Sequence, residues 1–186
     1  MKKSIFIILA VTIAFFSCNR PESKRENLQN SISEFSKKHV DLDIVTYFPE
    51  AYTEVQTDSI IANTFKVSIK NYTKMDSEIF INSETIEEKT RRNYHRVFES
   101  EINIVLASKE LFHTTINAED FKDHSQPDFW NNATLQHAWV DQEASNNKEV
   151  NLGISFINPK SNAYKLFELV VNTEGKQIIN LIEEHG

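Results

Sequence analysis

YHRVFESEINIVL, residues 94–106, is the stretch on which the fold turns. In an extended chain Phe98, Ile102, Ile104 and Leu106 fall on one side and His95, Glu99, Glu101 and Asn103 on the other, because successive side chains of a strand point to opposite faces. One apolar face and one polar face predict a strand with one side in a core and the other in water. Ser108-Lys109-Glu110 then reads as a turn into Leu111–Ile116, which makes the two segments a hairpin.

The same period of two extends outward from this hairpin. Phe65, Val67 and Ile69 alternate with Lys66, Ser68 and Lys70, and Ile79 and Ile81 mark a further strand. Residues 134–143 predict a strand with Leu135, His137 and Trp139 on one face. Val150, Leu152, Ile154 and Phe156 predict the next, closed by Asn158-Pro159. Tyr164–Asn172 and Lys176–Glu183 flank Thr173-Glu174-Gly175, a hairpin signal. Two segments interrupt the pattern. Residues 83–93 fit either a charged hairpin tip or a short helix with Thr85 and Glu88 as a capping box and Glu87/Arg91 and Glu88/Arg92 pairs. Residues 117–132 begin with Asn117-Ala118-Glu119-Asp120 and predict one or two short helical turns. About eight strands joined by short turns imply an all-β domain over 41–186, an antiparallel sandwich or barrel.

Residues 18–40 read as a tether before that domain. Pro21 and Glu22 suit a helix start, Lys37 and Lys38 a helix end, and Leu28, Ile32 and Phe35 form one narrow apolar stripe. A helix and a partly disordered spacer fit this segment equally. The whole chain carries 20 Lys and Arg against 27 Asp and Glu, a net charge of −7. An acidic domain repels nucleic acid, which removes that class of partner. Only three glycines are present, and neither GxGxxG nor GxxxxGK[ST] occurs, which argues against dinucleotide folds and phosphate loops. No cofactor is expected.

The first 17 residues read as an export signal. Lys2 and Lys3 precede an apolar run from Ile5 to Phe16, which falls well short of the ~20 residues a membrane-spanning helix needs. The run ends in Phe15-Phe16-Ser17-Cys18, and Cys18 is the one cysteine of the chain. This ending resembles the lipobox of bacterial lipoproteins, with Phe15 and Ser17 as in lipoproteins of the Bacteroidetes type. The resemblance covers residues 1–18 alone and identifies a processing route. It implies cleavage before Cys18, a diacylglycerol thioether on its sulfur, and usually acylation of the new amino terminus. Each buried methylene adds ~0.8 kcal/mol, so two or three chains anchor durably where one does not. A lone free thiol is a liability in an oxidising compartment, and lipidation of Cys18 removes it. Asn19 in place of Asp favours the outer membrane by the proteobacterial sorting rule, and no acidic run follows Cys18, so the periplasmic face is expected.

The domain offers few chemical candidates. His95, His113 and His137 fall on three strands with no metal-ligand spacing, so no metal site is expected. Glu99 and Glu101 share a strand face as a glycosidase pair does, and equally as an ordinary wet face does. No GxSxG is present. Phe129, Trp130 and Trp139 are candidates for an aromatic ligand platform, against a place in the core. Asp58-Ser59-Ile60 resembles the Asp-Ser/Thr-apolar acceptor of Bacteroidetes O-glycosylation, with Ser59 as acceptor in a loop before the first strand. The expected protein is therefore a lipid-anchored envelope protein, not an enzyme, with a binding or structural role toward an envelope protein or glycan. The alternative is a carbohydrate- or peptide-binding accessory module of an envelope hydrolase system. An exposed Trp130 or Trp139 beside a groove favours the alternative. Lysozyme-inhibitor lipoproteins resemble the chain in size and β content but rely on a disulfide, which a single cysteine cannot form.

Overall fold

The computed structural model of the protein describes residues 24–38, 44–86, 89–122 and 126–186. Cys18, the signal segment and the acidic pair Glu87 and Glu88 lie outside the described residues. Helix α1 (Lys24–Lys38) answers the tether question for its own span. Its apolar stripe, Leu28, Ile32 and Phe35, is exposed. Among the described residues no helix is long and apolar enough to cross a membrane.

The β elements belong to a compact unit of their own, Asp43–Ile86 with Thr90–Gly186, and form an all-β sandwich. The first sheet holds β1 (Ile44–Phe48), β2 (Glu54–Ile61), β3 (Phe65–Ile86), β4 (Lys89–Leu106) and β5 (Lys109–Ile116). Its order is β1-β4-β3-β2, and consecutive segments of β4 hold β1 and β5. The β1–β4 ladder is parallel, whereas β2–β3 and β4–β5 are antiparallel. A 3₁₀ turn (Glu119–Phe121) and the short helix α2 (Pro127–Trp130) connect to the second sheet. That sheet runs β6 (Thr134–Asp141), β7 (Glu149–Ile157), β8 (Tyr164–Asn172) and β9 (Gln177–His185), antiparallel throughout in the order of sequence.

The alternating residues build the core as their spacing dictates. Phe65 and Ile69 of β3, Ile102 and Ile104 of β4, and Leu152, Ile154 and Phe156 of β7 are fully buried. Phe98 and Leu106 pack partly buried against them. The 83–93 ambiguity ends as a hairpin: β3 runs to Ile86, β4 starts at Lys89, and Arg91 and Arg92 stand opposite Ile44 and Val45. Two strands precede the first one expected. In β2 only Ile61 is buried, and the alternate positions before it are exposed Val55 and Thr57 and half-buried Ser59, which blur the apolar alternation. Ser59 therefore sits within β2, half-buried and paired with Val67, and not in a loop.

Side chains stitch the two sheets together along β6. The Phe98 N–H donates to Thr134 Oγ1 at 2.7 Å. Asn71 of β3 acts as a substitute strand: its Nδ2 donates to the Ala138 carbonyl at 3.0 Å and its Oδ1 accepts from the Ala138 N–H at 3.0 Å. At Ala138 both backbone groups of this edge strand are thus satisfied by one buried amide. Asn71→Ala strands both groups away from water and lowers stability by about 1–3 kcal/mol in a denaturant titration. Asn71→Asp keeps one acceptor and removes the donor, so it too destabilises.

The opposite edge differs. Every residue of β9 is exposed, including Ile178, Ile179, Leu181 and Ile182. Gly175, with φ of +78°, makes the turn into it, a conformation that side-chain-bearing residues rarely adopt.

Candidate functional site

A bulge in β6 decides where the aromatic candidates go. Leu135 pairs with Phe156, but His137 pairs with Ser155, so Gln136 is an extra residue and the register shifts across it. Leu135 consequently enters the core at 1% exposure, while His137 and Trp139 turn to the outer face. The expectation that Leu135, His137 and Trp139 share a face is thereby corrected.

Trp139 stands opposite Gly153 of β7. A Cβ on Gly153 would come within 2.3 Å of Trp139 Cε2 and Cζ2, so the indole lies directly on the glycine backbone. The His137 ring stacks beside it, 5.9 Å between centroids and 13° from coplanar. Trp139 remains 36% exposed. The cross-strand row continues through Glu168 of β8 to Asn180 of β9, whose Nδ2 donates to Glu168 Oε2 at 3.2 Å. On the neighbouring row Ser155 Oγ donates to Gln136 Oε1 at 2.8 Å. This outer face thus combines two stacked rings with a carboxylate, two amides and a hydroxyl. Aromatic faces take up C–H surfaces, and such polar groups hydrogen-bond hydroxyls.

Phe129 and Trp130 are elsewhere. They are 9% and 3% exposed, and with Phe121, Phe156 and Phe167 they make an internal aromatic cluster. Trp130 meets Phe129 edge-on at 4.9 Å and Phe156 at 5.5 Å. Asn158 Nδ2 donates to the Asp128 and Phe129 carbonyls and ties the short helix to the β7–β8 turn. A platform made of Phe129, Trp130 and Trp139 together is therefore not built, and Trp139 alone of the three reaches the surface.

The first sheet carries the charged face expected around Glu99 and Glu101. Lys74 Nζ lies 3.2 Å from Glu99, the Tyr72 hydroxyl donates to Glu99 at 3.1 Å, and Lys70 Nζ lies 2.9 Å from Glu101. The Lys70 hydrogen bond and charge hold the Glu101 carboxyl below its ordinary range. Both carboxylates are thus engaged by lysines of β3 on a solvated strand face. His113 Nε2 stands 3.8 Å from Glu101, His95 lies against the Phe48 and Phe98 rings, and His137 is on the other sheet. The three histidines are not brought together, and no group of three or more His, Cys, Asp and Glu that could hold a metal ion occurs among the described residues. Ser59 lines a surface groove of about 420 Å³ with Asp58, Ile60, Lys66, Asn103 and Val105.

Sequence reasoning singled out Trp139 but missed Gly153, its seat, and Gln136, the bulge that turns it outward. A glycine inside a strand with a clear apolar alternation was the available signal for close approach. No protein-family model matches the chain, and no curated protein sequence matches it.

Proposed function

We propose that the protein is a lipoprotein of the bacterial cell envelope, with a β-sandwich that binds or braces an envelope component without catalysis. The observation that carries this reading is Phe15-Phe16-Ser17-Cys18, at the end of a short apolar run and holding the one cysteine of the chain. Lipid on Cys18 anchors the chain without a spanning helix. The outer membrane, with the domain facing the periplasm, fits Asn19 and the lack of an acidic run after Cys18. Metabolic labelling with a fatty acid tests the anchor. The parent protein takes up label and fractionates with membranes, and Cys18→Ala loses both properties or stalls unprocessed. Label on the Cys18→Ala protein overturns the reading.

The second reading, a carbohydrate- or peptide-binding accessory module, is favoured by the Trp139 face. A glycan chain is its best ligand class, because stacked rings are bordered by Glu168, Asn180, Gln136 and Ser155. Envelope glycans are offered to the lipid-free Cys18→Ala protein. Binding raises and shifts Trp139 emission, and Trp139→Ala weakens it at least ~10-fold, in line with the ~1–3 kcal/mol that stacking on an aromatic ring supplies elsewhere. The unfolding midpoint of Trp139→Ala is measured alongside, and Trp139→Phe, which keeps a ring over Gly153, serves as the folded control. Equal binding by parent and Trp139→Ala removes this reading while leaving the anchor untouched.

A further inference from the structure

The two sheets treat their outward carboxylates differently. On the first sheet Glu99 and Glu101 each meet a lysine of β3. On the second sheet, among the described residues, Glu168 of β8 meets an amide alone, Asn180 Nδ2 at 3.2 Å. Strands β6 to β9 contain no arginine and one lysine. That lysine, Lys165, stands opposite Phe156 on the core face, is buried, and pairs with Glu184. The strands of this sheet therefore bring no cation to Glu168. The carboxylate is nevertheless half-buried, with Leu166 and Val170, also half-buried, to either side of it on the same face of β8. Apolar neighbours lower the local dielectric. They raise the cost of a charge that nothing neutralises, and they strengthen its attraction for a cation brought from outside.

The position of this carboxylate gives it a use. Trp139, Gly153 and Glu168 stand in one cross-strand row. The indole reaches from β6 onto Gly153, and Glu168 follows one strand spacing further on, about 4.8 Å. Gly153 has no side chain to stand between them. A sugar ring stacked on the indole thus holds a substituent within reach of Glu168. An ammonium group is the substituent that a carboxylate without a cation selects. It forms a charge-assisted hydrogen bond, and the face of a tryptophan ring attracts it as well. A carboxylate, sulfate or phosphate in the same place is repelled. We infer that the Trp139 face selects glycans with free amino groups, a hexosamine ring stacking on the indole while its ammonium pairs with Glu168. Amine selection rests on the glycan reading of this face and assigns Glu168 as the residue that reads the charge.

Two tetramers of identical linkage, one of glucosamine and one of N-acetylglucosamine, separate charge from backbone shape. Each is titrated calorimetrically into the lipid-free Cys18→Ala protein, at a pH where the free amines are protonated. The glucosamine tetramer binds at least ~10-fold tighter, the ratio expected of one hydrogen bond between charged groups. Added salt narrows the gap. Glu168→Gln keeps the size of the side chain and an acceptor for Asn180. It brings the two affinities together by weakening the glucosamine tetramer and leaving its acetylated counterpart as it was. Glu50→Gln removes an exposed carboxylate just after β1 and changes neither affinity, which separates the site from a general attraction of cations to an acidic protein. Circular dichroism and unfolding midpoints check that both variants keep the fold. Equal or tighter binding of the acetylated tetramer overturns the inference while the glycan reading stands. So does a preference that survives Glu168→Gln, or one that falls equally with Glu50→Gln. Binding of neither tetramer removes both.

Discussion

Trp130→Ala lowers the free energy of unfolding by about 3–5 kcal/mol. The indole fills the centre of the aromatic cluster, edge-on to Phe129 and Phe156 and 6.1 Å from Phe167, at 3% exposure. Its removal takes away both the transfer energy of a large ring and its edge contacts with Phe129 and Phe156. The rigid β7 and β8 ladders on one side prevent the site from collapsing to fill the void. Denaturant titration measures the loss. In a Trp139→Phe background, where Trp130 is the one remaining indole, acrylamide quenching stays weak in the native state and rises on unfolding. Strong quenching of a stable native protein would show that this ring is at the surface after all.

Ile102→Ala costs about 2–5 kcal/mol, and Glu101→Ala, one residue away, stays within ~0.5 kcal/mol. Ile102 is fully buried between the sheets, so a cavity opens when its branches are removed. Glu101 points the other way, to a solvated ion pair with Lys70 in which both side chains are about a third exposed. Such pairs contribute little because water and salt screen them. The contrast tests the register itself, since a slip by one residue exchanges the two faces of a strand. Equal costs at both positions would place the wrong face inside.

The sheets were legible wherever apolar and polar residues alternate over a long run, as in residues 98–106 and 150–156. They were obscure where inward positions are polar. Thr57 and Ser59 hide β2 because one is exposed and the other half-buried, and a hydroxyl at such a position carries no hydrophobic signal. The Ala107-Ser108 turn has φ of 48° and 67°, a left-handed pair that asparagine or glycine advertises and these residues do not. The bulge at Gln136 was invisible for a different reason. Period-two reading assumes one residue per step, and an inserted residue changes faces without changing composition. That one residue moved Trp139 from the expected company of Leu135 to the opposite face. Burial of Phe129 and Trp130 was equally open in the sequence, because large rings serve cores and platforms alike and only three-dimensional neighbours decide.

The Asn71 amide across Ala138 has a meaning for what the β6 edge offers to another chain. A strand that adds to an open edge finds its ladder groups waiting in water. At Ala138 it must first displace two bonds that the molecule already makes within itself. In the language of inhibition Asn71 is an intramolecular competitor: it is tethered at the position it occupies, so no dilution or change of concentration removes it.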